Sequence, residues 1–179
     1  MKIARFKNIT LLLTIFLVVS SCDKDKDQDV YGCTDIEATN YLGEANIDDD
    51  NCLYMYVTEY EVKKYPNQDW DPWGIENADI QLKVQKVATN EEVFVSQTIN
   101  NASPFTSHLW TAPEQLILDN QIWSWELWDV DNPPLDADDF IAEAEFNPWL
   151  LAVNGQIHTV SDDQQTEIII HYTLRNKNF

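Results

Sequence analysis

The sequence predicts an all-β protein, an eight-stranded antiparallel β-sandwich that begins at residue 54. Three observations predict it. Apolar and polar residues alternate over short runs, as in Ile80-Gln-Leu-Lys-Val84 and Trp123-Ser-Trp-Glu-Leu127, the period of a strand with one buried face. Clusters of Asn, Asp, Pro and Ser separate these runs, as turns and short connections do. No long stretch keeps the 3.6-residue apolar period of a helix, and only residues 147–153 could close a short helical turn.

The strands follow in order. The first starts at residue 54, with Tyr54, Tyr56, Thr58, Tyr60 and Val62 on one face and Met55, Val57, Glu59 and Glu61 on the other. Pro66, Asp69, Asp71, Pro72 and Gly74 break it into a loop over 65–78. Residues 80–87 alternate strictly and form the second strand. The third covers 93–99, the fourth 105–111, the fifth 122–128 and the sixth 139–147. Residues 156–160 are a weak seventh strand, and 166–175 the eighth.

The fifth strand runs into the most charged loop of the chain. Asp129, Asp131, Asp136, Asp138 and Asp139 fall within eleven residues, and Pro133-Pro134 forbids helix or ladder pairing between them. Carboxylates packed this closely repel one another unless a cation sits among them. The hard divalent cation that collects carboxylate and carbonyl oxygens is calcium. A solvated acidic turn is the alternative. Strand parity brings in a second loop. If every connection reverses direction, as antiparallel meanders and Greek keys generally do, then 65–78, 100–104, 129–139 and 161–165 all open at one end of the sandwich.

On these residues the chain resembles the C2 domain, a calcium-dependent lipid-binding β-sandwich, over roughly residues 54–175. In that family a strand ending Trp/Tyr-Asp-x-Asp is followed by Asp-Phe/Ile-Ile-Gly. Trp128-Asp129-Val130-Asp131 and Asp139-Phe140-Ile141-Ala142 match, with alanine in place of the glycine. The first-loop pattern ends Asp-Pro-Tyr-x-x-Val. Asp79-Ile-Gln-Leu-Lys-Val84 keeps the aspartate and loses Pro-Tyr. The resemblance implies a calcium site built from Asp71, Asp79, Asp129, Asp131 and Asp139. Asp69 competes with Asp71, and Asp136 and Asp138 compete with Asp139. Backbone carbonyls, such as those of Trp73 or Val130, would complete six to eight oxygens. A C2-like sandwich that has lost calcium is the alternative.

The start of the chain has its own organisation. Residues 1–21 combine basic Lys2, Arg5 and Lys7, a twelve-residue apolar run from Ile9 to Ser20 and small residues before Cys22. This is a signal peptide rather than a span, because a bilayer needs about 20 apolar residues. Val19-Ser-Ser-Cys22 resembles the bacterial lipobox, which implies cleavage before Cys22 and lipid on its sulfur. Lipidation of Cys22 leaves Cys33 and Cys52 to form a disulfide in an exported chain. Residues 22–30 form an acidic tether. An acidic run there resembles the signal that sends some lipoproteins to the outer face of the outer membrane, so the cell-surface face is favoured over the periplasmic one. Residues 31–53 resemble a short cysteine-bounded module of exported bacterial proteins, from Gly32-Cys33-Thr34-Asp35 through Asp48-Asp49 to Cys52. Asp48, Asp49 and Asp50 read as a solvated turn. The sandwich then occupies 54–179.

The 11 basic and 31 acidic side chains give a net charge of −20. That balance opposes nucleic acid and bare anionic lipid. His108, His158 and His171 lack metal-ligand spacing, and no Gly-x-Ser-x-Gly or phosphate-cradling glycine loop occurs. The expected function is therefore non-enzymatic: a lipid-anchored, calcium-binding adhesion or interaction module. Its partners are its own membrane, through Cys22, and an anionic lipid or polysaccharide bridged by calcium. A carbohydrate-binding sandwich is a second expectation, with structural calcium and with Trp70 and Trp73 as stacking platforms; the other reading of these two tryptophans, and the favoured one, is that they pack the long loop onto the sandwich. A metal-free structural subunit of an envelope complex is a third.

Overall fold

The computed structural model describes residues 28–68, 70, 77–131 and 137–177. The strands are Tyr31–Gly32 (β1), Ile47–Asp48 (β2), Tyr54–Lys64 (β3), Ile80–Lys86 (β4), Glu91–Val95 (β5), His108–Thr111 (β6), Ile117–Leu118 (β7), Trp123–Asp129 (β8), Asp139–Phe146 (β9), Ala152–Val153 (β10), Gln156–Val160 (β11) and Glu167–Arg175 (β12). One short helix, Pro148–Leu151 (α1), follows β9. Two antiparallel sheets face each other. One runs β10-β11-β12-β3-β6, with β7 also on β3, and the other runs β5-β4-β8-β9. The eight longer sandwich strands are those expected from alternation. β1 and β2 form a separate parallel pair.

The facing sides supply the core. Ile80, Leu82 and Val84 of β4 meet Trp123, Trp125 and Leu127 of β8 in one sheet, and Tyr60, Val62, Ile157, Ile168 and Ile170 line the other. Each such aliphatic side chain contributes about 1.5–3 kcal/mol when fully buried. Trp125 Nε1 crosses between the sheets and donates to Thr159 Oγ1 at 2.8 Å, and Thr159 Oγ1 donates onward to the Ile168 carbonyl at 3.0 Å. The buried indole N–H is thus satisfied, as a buried polar group must be.

Four elements differ from the sequence expectation. β3 does not keep one alternation. Val57 pairs with Tyr172 and Glu59 with His171, which leaves Thr58 as the extra residue of a β-bulge. Before the bulge Met55 and Val57 face the core, and after it Tyr60 and Val62 do. Tyr54 and Tyr56 point outward but are also buried, against Cys33, Ala38 and Cys52. The third strand is Glu91–Val95 rather than 93–99, although Ile99 bridges Ile80. The fourth starts at His108, because Ser103 to Thr106 turn first. The two-residue β7 lies within the expected connection 112–121 and pairs with Met55 and Tyr56. The expected helical turn is α1, capped by the Asn147 side chain, which accepts from the Trp149 and Leu150 N–H groups.

The N-terminal segment is held to one end of the sandwich. Cys33 and Cys52 form a disulfide, with Cα atoms 4.9 Å apart. Asp35 accepts from the Tyr54 hydroxyl, and Lys177 Nζ lies 3.1 Å from Asp35 and 3.3 Å from Glu37. The carboxylates of Asp48 and Asp49 accept from the Asp50 and Asn51 N–H groups at 3.0 Å each, and all four residues lie in an exposed turn. Cys22 and the signal lie outside the described residues.

Candidate metal centre at the acidic end

Three loops meet at the end of the sandwich opposite the disulfide. Asp129 closes β8, and the register sets Ile80, Asp129 and Asp139 side by side on β4, β8 and β9. The Asp79 N–H donates to Asp129 Oδ1 at 2.6 Å, and the Val130 N–H donates back to the Asp79 carbonyl at 2.9 Å. Asp79 Oδ1 accepts from the Asn101 N–H at 2.6 Å. Asn101 Oδ1 in turn accepts from Asn77, at 2.9 Å from its backbone N and 3.0 Å from Nδ2. The Ala102 N–H reaches the Ala78 carbonyl, and the Tyr65 hydroxyl donates to the Ala102 carbonyl. The first acidic loop is thereby stitched to the 100–104 turn and to the end of β8. The turn between β11 and β12 opens beside Lys64, at the same end. This is the convergence that strand parity predicts.

The third loop is closed by its own residues. The Asp131 N–H donates to Asp138 Oδ1 at 3.2 Å, so Asp138 turns its carboxylate across the loop. Asp139 is exposed at the start of β9, level with Asp129. Asp129 itself is only 1% exposed. Burial raises the Tyr65 hydroxyl far above its ordinary pKa, and the negative charge of Asp129 raises it further.

Asp79 is thus bonded to Asp129, and Asp131 to Asp138, with Asp139 the register partner of Asp129. Asp69, Asp71, Trp73 and Asp136 lie outside the described residues. Among the described residues, no group of three or more His, Cys, Asp or Glu side chains is arranged to hold a metal ion. The donor chemistry nevertheless suits calcium, since the predicted ligands are all carboxylates. Of the two readings of Trp70, its burial favours packing. It is 8% exposed, packs into the core and donates Nε1 to the Pro66 carbonyl at 3.3 Å. It cannot offer a ring face to a sugar; it packs the long loop onto the sandwich instead.

Tyr65, Asn77 and Asn101 were not singled out by sequence. Asn101 has φ +50°, a conformation that asparagine tolerates better than most residues. The Asn100-Asn101 pair was a signal for such a turn, but nothing local signals its bond to Asp79. The histidines stay apart, each beside a different group: His108 at the Ser103 carbonyl, His158 at Glu167 and His171 at Glu61.

No family model and no curated protein matches the sequence. Similarity is found among solved structures. A C2 domain is 15% identical, with 68% of this chain and 97% of that one covered and a TM-score of 0.45. Human GIVD cytosolic phospholipase A2, in complex with methyl gamma-linolenyl fluorophosphonate, is 12% identical with a TM-score of 0.50. There 72% of this chain aligns with only 18% of that chain. The calcium-bound pair of C2 domains from extended-synaptotagmin 2 is 15% identical over 69% of this chain and 45% of that one, with a TM-score of 0.39. At these identities the likeness is one of fold: the chain is an antiparallel, C2-like β-sandwich.

Proposed function

We propose that the chain is a lipid-anchored, calcium-binding interaction module without catalytic activity. Asp79, Asp129, Asp131 and Asp139, with Asp71 from the first loop, would hold the ion, and Asp69, Asp136 and Asp138 are alternative donors. The anchor is lipid on Cys22, and the site of action is the outer membrane, on its cell-surface face. The observation that carries the calcium reading is the meeting of carboxylates at one end of the sandwich: Asp129 and Asp139 are register partners, and the Asp79 N–H is bonded to Asp129. Carboxylates brought this close repel one another unless positive charge lies among them. Bound calcium would supply that charge and neutralise the loops, and it would offer remaining coordination positions to an anionic partner, lipid headgroup or polysaccharide. The burial of Trp70 counts against the sugar-stacking alternative.

Isothermal titration with calcium tests the proposal. The wild type should bind, and Asp129→Asn/Asp131→Asn should lose at least about tenfold in affinity, or about 1.4 kcal/mol. Asparagine at 129 can still accept from the Asp79 N–H, so the loop contact survives the substitution. A wild type that takes up no calcium overturns the metal assignment. Pull-down on anionic liposomes and on insoluble polysaccharide, each with and without calcium, then identifies the partner class.

A further inference from the structure

The end of the sandwich that carries the disulfide segment also carries an apolar surface. α1 and β10 place Leu150, 81% exposed, and Val153, 63% exposed, at the rim, and Leu151 and Leu174 are exposed beside them. Below this rim is a cavity of about 230 Å³ lined by Thr39, Met55, Trp149, Ala152, Tyr172 and Leu174. Trp149 Nε1 is shielded from water and has no hydrogen-bond partner among the described residues. Residues 147–161 contain no Asp or Glu, in a chain of net charge −20. Thr39 of the disulfide segment forms one wall, so the patch is continuous with the part of the chain that leads to the N-terminus.

We infer that this face docks on the lipid surface of the membrane that holds Cys22, with the side chains of Leu150, Leu151 and Val153 among the acyl chains. The inference rests on the anchor reading above. Chain length is the first argument. The described chain starts where Gln28 and Val30 are hydrogen-bonded to Asn46. From Cys22 to Val30 a fully extended chain spans at most about 28 Å, so an anchored Cys22 keeps this end near the bilayer. Chemistry is the second. Exposed leucine and valine gain by leaving water for hydrocarbon. Net charge is the third. Two copies cleaved before Cys22 lose Lys2, Arg5 and Lys7 and would each bring −20 − 3 = −23, and that repulsion opposes self-association.

The test uses the full lipidated chain reconstituted in zwitterionic vesicles, with a nitroxide on Leu150→Cys. With Cys22 acylated and Cys33 joined to Cys52, the new thiol is the one that takes the label. Oxygen accessibility of the nitroxide should rise and nickel-chelate accessibility fall, so that their ratio grows severalfold over the same label at Phe105→Cys. Phe105 is exposed and follows the 100–104 turn at the acidic end. Val153→Cys repeats the measurement if Leu150→Cys does not fold. Equal accessibility at 150 and 105 in an acylated chain overturns the docking alone. Dipolar broadening at 150 would show a second copy on the patch and overturns it as well. An intact mass without acyl groups overturns the anchor reading, and this inference with it.

Discussion

Asp35 takes a hydrogen bond from the Tyr54 hydroxyl, another from the Glu37 N–H and an ion pair from Lys177. The Tyr54 bond, foremost, and the backbone bond hold its carboxyl below the usual aspartate range. The folded state therefore releases this proton more readily than the unfolded state. The stability it contributes is complete above the unfolded value, near about 4. It is lost as pH falls through the lower folded value. Tyr54→Phe removes the largest cause. Its urea midpoint should lie below the wild type by a constant gap from neutral pH to about 5 and converge on it in more acid solution. A gap unchanged at pH 3 would show that Asp35 is not the proton concerned. The same scale shows what can be read in sequence. Asp129 and Asp131 were legible because a strand ending Trp-Asp-x-Asp carries its own spacing. Tyr65 and Asn101 were not, because their side chains bond backbone groups more than twenty residues away. Trp70 was open to two readings, since an aromatic in a loop can cover a core or offer a face, and only the space beneath it decides.

β4 and β8 were legible as elements because their apolar residues recur at every second position on the buried face, with Ser124 of β8 the one residue buried on the other face. β3 was not. Its first four residues are all buried, Met55 and Val57 on the core and Tyr54 and Tyr56 under the disulfide segment. Alternation cannot distinguish two buried faces, and it conceals the register change at Thr58. Thr58 is exposed, and its carbonyl accepts from the Ala112 N–H at 2.9 Å. What matters there is one extra residue rather than a particular side chain. Deleting Thr58 should let the strand pair regularly, Val57 opposite Tyr172 and Glu59 opposite His171, and so keep the facing of residues 54–57. Amide hydrogen exchange across residues 31–53 should then stay near wild type in the deletion, as in Thr58→Ala. Strong acceleration in the deletion alone would show that the segment depends on the bulge. β7 escaped the sequence for a simpler reason: two residues are too short to display any period.

On the scale of the whole molecule, β3 runs from the disulfide segment at Tyr54 to the acidic loop that follows Lys64. Its eleven residues, at about 3.3 Å each, separate the two ends by roughly 33 Å. The screening length in physiological salt is about 8 Å, so a membrane's surface potential decays to a few per cent over that span. With the apolar face on the bilayer, as proposed, the acidic loops would lie beyond the field of the membrane that holds Cys22. Calcium affinity of the anchored protein should therefore be the same in zwitterionic and in anionic vesicles, within about twofold by titration at 0.15 M salt. A marked rise in affinity on anionic vesicles would mean that the acidic end reaches the anchoring surface. In the proposed orientation, β3 would be a spacer: it would insulate the acidic end from the anchoring lipid and leave that end to sense only what approaches from outside.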